Sequence, residues 1–236
     1  MKKSLLLLTL AVGALLCSCG EKKATDDCTA KTECVSAKLT AYDVPYSDTT
    51  VNFKENKRVL IVSSSPRRGG NTDLMADAFL RGAQEAGGKV EKIFLADYNL
   101  EFLSEEGADN PKESMRETES WQLVEKFLEA DVVVLASPVY FMNVNDRMKT
   151  FIDLTYLGYG DERMGNKEFY YITACADNEE ATAEDTFFAM RGFAYCLPHA
   201  TERGYVAAVG VGRKGAVVDT QFINEAYELG KTINKR

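Results

Sequence analysis

The chain has one histidine in 236 residues, so catalytic arrangements built on imidazole have almost nothing to draw on. His199 follows Pro198 in a turn-like stretch and reads as solvent-exposed punctuation. No Ser/His/Asp or Cys/His set can be assembled around it, which leaves hydrolytic and covalent catalysis without a candidate. Neither GxGxxG nor GxxxxGK[ST] occurs, and no lysine stands between Lys57 and Lys89 to face a triphosphate. With a net charge of −8 and no basic run beyond the first residues, nucleic acid is excluded as a partner. No cysteine lies between Cys34 and Cys175, and no segment repeats along the chain.

What is present centres on Arg58 to Leu74, RVLIVSSSPRRGGNTDL. Val59 to Val62 is an unbroken aliphatic run, suited to a strand covered on both faces. Pro66 cannot donate to a ladder and ends it. Gly69 and Gly70 permit a tight return, after which Asn71 or Thr72 is expected to cap a helix beginning near Asp73. Free N–H groups at that helix start, the hydroxyls of Ser63, Ser64, Ser65 and Thr72, and the charges of Arg67 and Arg68 form an anion cradle. Lacking a metal ligand, it suits a phosphate monoester better than a polyphosphate. The competing reading is an ordinary, well-capped strand-to-helix connection.

The first residues read as a targeting segment. Lys2 and Lys3 precede an apolar run from Leu5 to Leu16 that is too short to span a bilayer, and small residues lead to Cys19. The four residues ending at Cys19 resemble a bacterial lipoprotein signal, which makes Cys19 the lipidated residue of an exported, membrane-anchored protein; a plain secretory signal is the alternative. The expected organisation is a signal over residues 1–18, a polar tether over 19–56 and one domain over 57–236. Cys28 and Cys34 fall in the tether, where they either pair or stay free. Cys175 is expected to end a strand and Cys196 the helix that follows, whose ends lie roughly 24 Å apart, so the two are unpaired and act as small buried hydrophobes.

Strands are expected at Val90–Leu95, Asp131–Ala136, Phe169–Cys175 and Tyr205–Val211, and helices at Leu74–Ala86, Trp121–Leu128, Asp146–Tyr156, Glu179–Tyr195 and Asp219–Ile233. Asp97 to Glu119 reads as a surface loop. Five strands alternating with helices give an α/β, doubly wound parallel sheet, for which the order 2-1-3-4-5 is expected. Its ligand edge lies between the first and third strands, where Ser63–Thr72 meets Ser137–Val144. The second loop puts Tyr140, Phe141 and Met142 beside the cradle. A hydrophobic plug accounts for such aromatics by themselves; a flat aromatic ligand accounts for them together with the phosphate-sized loop.

These two loops resemble those of the flavodoxin-like NAD(P)H-dependent FMN reductases, on the branch near the iron–sulfur flavoproteins. The family's SPRxxGNT is matched by Ser65, Pro66, Arg67, Gly70, Asn71 and Thr72. Its SPVYFxNVxxxxKxFID is matched by Ser137 to Phe141, Asn143, Val144, Lys149 and Phe151 to Asp153. Lys214–Gly215 and Glu225 to Lys231 supply a third match. The resemblance implies that FMN is the cofactor, with Ser63, Ser65, Arg67, Asn71 and Thr72 around its phosphate and Pro138, Val139, Tyr140, Phe141 and Asn143 along the isoalloxazine. No metal ligand is assigned: the cluster cysteines of that branch are absent, so no iron–sulfur cluster is expected. Where the family often carries arginine after FID, this chain has Leu154.

The activity so implied is transfer of electrons through FMN to a small-molecule acceptor of the quinone-like, nitro, azo or metal-ion class, with NAD(P)H as donor in the family and a homodimer as an expected assembly. Export changes the expected donor to a membrane quinol or a reduced partner protein. The alternatives are a lipid-anchored electron carrier that docks to proteins and a binding module without the cofactor.

Overall fold

A computed structural model of the chain describes residues 56–109 and 118–235. The expected signal, the tether and its cysteines, and residues 110–117 of the long loop lie outside them. Five parallel strands, β1 (Arg58–Ser63), β2 (Lys89–Phe94), β3 (Val132–Pro138), β4 (Glu168–Ala174) and β5 (Thr201–Ala208), form one sheet in the order 2-1-3-4-5. The order is the expected one. Except for Arg58, β1 and β3 are buried throughout, whereas the edge strand β2 alternates until its last two residues.

Helix α1 (Asn71–Glu85) and helix α5 (Gln221–Gly230) cover one face of the sheet, with Met75, Phe79, Ala226 and Ile233 packed on Ile61, Val134 and Tyr170. Helices α2 (Glu119–Glu129), α3 (Asp146–Leu154) and α4 (Ala181–Tyr195) cover the other, where Phe127, Phe151 and Met190 pack on Leu60, Val133 and Phe169. Contact between α1 and α5 depends on two glycines. A Cβ on Gly82 would stand 2.0 Å from the Tyr227 carbonyl, and one on Gly230 would stand 2.2 Å from the Phe79 carbonyl. Backbone therefore meets backbone at this crossing.

At the amino-terminal edge two lysines are buried. Lys57 pairs with Glu168 at 2.8 Å and donates to the Ile233 carbonyl at 2.7 Å. Lys167 donates to the Leu128 and Ala130 carbonyls at 3.1 and 2.7 Å, where the end of α2 favours a cation. Burial nevertheless pulls the Lys167 ammonium down to about 8.

Several boundaries differ from expectation. β5 begins at Thr201, because Glu202 satisfies its partly buried carboxylate on Arg191 at 2.6 Å and can sit in a strand. Helix α3 stops at Leu154 and tightens into a 3₁₀ turn, Thr155–Gly158; a similar turn, Ala216–Asp219, precedes α5. The loop after β2 carries a 3₁₀ turn at Leu95–Asp97 and a short helix at Glu105–Asp109. Cys175 lies one residue beyond β4. The two cysteines among the described residues are free, and Cys175 is buried, but Cys196 is exposed at the end of α4 and packs in no core. Leu154 is fully buried, so its position carries no surface contact.

Candidate active site at the carboxyl edge

The first loop is held from behind by one buried carboxylate. Asp73 accepts from Ser63 Oγ at 3.0 Å and from the Gly69 N–H at 2.7 Å, and pairs with Lys92 at 2.6 Å. A partnered carboxylate can be buried there, and its three donors fix the turn ahead of it. Ser65 Oγ donates to the Arg67 carbonyl at 3.1 Å and accepts from the Arg67 N–H at 3.2 Å, while the Gly70 N–H donates back to the same carbonyl at 2.8 Å. A Cβ on Gly70 would lie 2.8 Å from that carbonyl, so this tight return requires glycine.

Helix α1 starts at Asn71, with Gly70 in the cap position and no side-chain cap. The expected cap by Asn71 or Thr72 is thus corrected: both are already helical. The Asn71 side chain points instead to the loop after β5, donating to the carbonyls of Val211 and Arg213 and accepting from the Val217 N–H at 3.2 Å. First-turn N–H groups left without a side-chain cap suit an anion.

Three expected members of the cradle are occupied elsewhere. Arg68 is paired with Asp97 at 2.5 Å and lies 4.4 Å over the Phe94 ring. Ser64 Oγ donates to the Ala136 carbonyl at 3.2 Å. Ser63, turned to Asp73, does not line the cavity between the loops.

That cavity, about 100 Å3, is lined by Ser65, Arg67, Asn71 and Thr72, by Pro138, Val139 and Tyr140, and by Ala174–Ala176 with Val211 and Gly212. It has the size of a phosphate ester and leaves a larger ligand partly in the open. The loops after β4 and β5, which sequence reasoning did not assign to the site, form its far wall. Their signal was present: in an open parallel sheet every loop after a strand reaches this edge. A larger cavity of about 400 Å3 opens at the opposite edge beside Arg58, Lys89 and Lys126. Its Arg58 and Lys126 already pair with Glu129 and Glu91, so the smaller, convergent site is the functional candidate.

The second loop is fixed by Asn145, which caps α3 through the Met148 N–H at 3.2 Å and donates to the Ser64 carbonyl at 2.6 Å. Tyr140 and Asn143 exchange backbone bonds of 2.9 and 3.0 Å around Phe141 and Met142, whose φ values of 51° and 60° are left-handed. Such a two-residue turn favours Asn-Gly, and large side chains here are strained. The turn leaves Phe141 fully exposed and Tyr140 and Met142 half-exposed. Phe141 and Asn143 therefore stand outside the cavity, on a ledge beside it; the Asn143 side chain accepts from the Val144 N–H at 2.8 Å.

Residues 57–230 match the NADPH-dependent FMN reductase family. The chain belongs to that family. An iron–sulfur flavoprotein of Archaeoglobus fulgidus is 37% identical over 93 residues, a match covering 39% of this chain and 42% of that protein. Among solved structures, an NAD(P)H:quinone oxidoreductase from Methanothermobacter marburgensis superposes with a TM-score of 0.60 at 18% identity, over 77% of this chain and 98% of that one. An FMN-dependent NADH-azoreductase from Bacillus anthracis, in complex with FMN, gives 0.56 at 18%, over 75% and 97%. At such identities the structural likeness shows the fold. FMN is the cofactor of the family, and the residues present fit its phosphate: an uncapped helix start, a glycine-closed loop and an Arg67 side chain that forms no ion pair among the described residues. Among the described residues no cluster of His, Cys, Asp or Glu could hold a metal ion.

Proposed function

We propose that the chain is an FMN-dependent oxidoreductase that delivers electrons to a small-molecule acceptor of the quinone-like, nitro, azo or metal-ion class, working outside the cytoplasm on a lipid anchor at Cys19. The observation that carries the reading is the meeting of a phosphate-sized cradle with an aromatic ledge at one edge of the sheet. When bound, FMN supplies the electron and hydride chemistry. The protein's own residues bind and orient. Arg67 and the first-turn N–H groups of α1 hold the phosphate, Asn71 fixes the loop that closes over it, and Pro138 and Val139 keep water from the inner wall. Tyr140 and Phe141 offer the flat surface beside which an acceptor stacks. The structural neighbours, a quinone oxidoreductase and an azoreductase, support this acceptor class.

The lipid anchor rests on Lys2, Lys3, the run from Leu5 to Leu16 and Cys19. A protein so placed meets no maintained nicotinamide pool, so its donor is a membrane quinol or a reduced partner, although nicotinamides reduce the flavin slowly in solution. The exposed Phe141 favours a second reading, an electron carrier that docks to protein partners through this ledge. Anaerobic stopped-flow mixing tests the donor: reduction by quinol analogues or membrane fractions supports the proposal, and fast bleaching by micromolar NADPH with no response to quinols contradicts it. A Cys19→Ser variant should lose membrane partitioning; wild type found soluble in the cytoplasm with Met1 intact contradicts export.

A further inference from the structure

β5 lies three strand positions from β1, roughly 14 Å at the usual strand spacing. Asn71 nevertheless draws the loop after β5 back across the carboxyl edge, by its bonds to the Val211 and Arg213 carbonyls and from the Val217 N–H. This crossing lays the Lys214 side chain against the tip of the phosphate loop. A Cβ on Gly69 would be 3.6 Å from Lys214 Cε and 3.9 Å from its Nζ. Gly69, at φ +67°, presents bare backbone there. The neighbouring Arg68 cannot serve the same spot, because Asp97 and Phe94 hold it. Lys92, Lys126, Lys149 and Lys231 all have carboxylate partners. Lys214 is exposed and has none among the described residues. An ammonium without a counter-ion, held beside an anion cradle by a latched loop, is matched to an anion that arrives with the ligand.

We propose that Lys214 is a phosphate-contact residue, so that the 5′-phosphate of FMN is gripped from two loops, by Arg67 on the first and Lys214 on the loop after β5, and that this grip sets the preference for FMN over riboflavin. The proposal rests on the FMN reading of the site.

Titrating the purified protein, stripped of flavin, with FMN and with riboflavin at low and high salt tests it. Wild type should bind FMN far more tightly than riboflavin, with an affinity that falls as salt rises. Lys214→Met should weaken FMN about tenfold, the size of one partly exposed charge-assisted contact, leave riboflavin unchanged and flatten the salt dependence. Lys214→Arg should keep most of the FMN affinity, and Lys89→Met, an exposed lysine at the opposite edge, should change nothing. If wild type binds the two flavins equally, the FMN reading falls and the proposal with it. If wild type prefers FMN but Lys214→Met retains its affinity and salt slope, the role of Lys214 alone is overturned. Equal losses for both flavins also overturn it, because they indicate a structural effect.

Discussion

Asn71, the first residue of α1, donates to the Arg213 carbonyl 142 residues away at 2.9 Å, and the same side chain holds Val211 and Val217. One amide thereby joins the phosphate loop to the loop after β5, so its loss should damage folding and ligand binding together. Asn71→Ala leaves the buried Val211 carbonyl, the partly buried Arg213 carbonyl and the buried Val217 N–H without their partner, and is expected to lower stability by about 2–3 kcal/mol and FMN affinity at least tenfold. Asn71→Asp should cost more than alanine, because a carboxylate would face two carbonyl oxygens. Urea unfolding of the flavin-free protein checks the order; aspartate matching wild type would contradict it.

The crossing of α1 and α5 gives a second prediction. Because a Cβ on Gly82 would overlap the Tyr227 carbonyl, Gly82→Ala must push the helices apart and should cost about 3 kcal/mol. The urea midpoint should fall, and Gly230→Ala should behave alike. In the double variant the loss should be less than the sum, since one displacement relieves both clashes. Strict additivity would show that the glycines act separately.

Lys167 gives a pH prediction with a definite sign. Its folded value, lowered to about 8 by burial, lies below the ordinary value of 10.5 for a free lysine. Between these two pH values the unfolded chain binds a proton that the folded chain has released, so the contribution of Lys167 to stability rises with pH across that window and is flat below it. The stability difference between wild type and Lys167→Met should shift in favour of wild type by about 2 kcal/mol from pH 7 to 10. Chemical denaturation at both pH values measures it. A difference independent of pH would mean that the two carbonyls stabilise the ammonium as well as water does.

The buried strands and their order were legible because Val59–Val62 and Val132–Leu135 are uninterrupted aliphatic runs and the alternation with helices admits few topologies. The first loop was legible because its chemistry is contained in eight consecutive residues. What failed depended on partners distant in sequence. Arg68 reads as a cradle cation until Asp97 and Phe94 are brought beside it, and Asn71 reads as a cap until Val211 and Arg213 lie across from it. Ser63 reads as a phosphate hydroxyl, but Asp73 claims it. Lys214 stands out in the sequence only as part of a family match, since its position over Gly69 arises from a loop drawn back across three strand positions. Cys196 read as a core residue because helical periodicity does not show where a helix emerges from the core.

The most direct measurement is an equilibrium titration of the flavin-free protein with FMN, followed by flavin fluorescence and visible absorbance, alongside Arg67→Ala. The account predicts saturation at one FMN per chain and a loss of affinity of about 2 kcal/mol in the variant, from removal of a charged phosphate contact. Absence of saturable binding, or an Arg67→Ala protein that holds FMN as tightly as wild type, would contradict the placement of the cofactor at this edge.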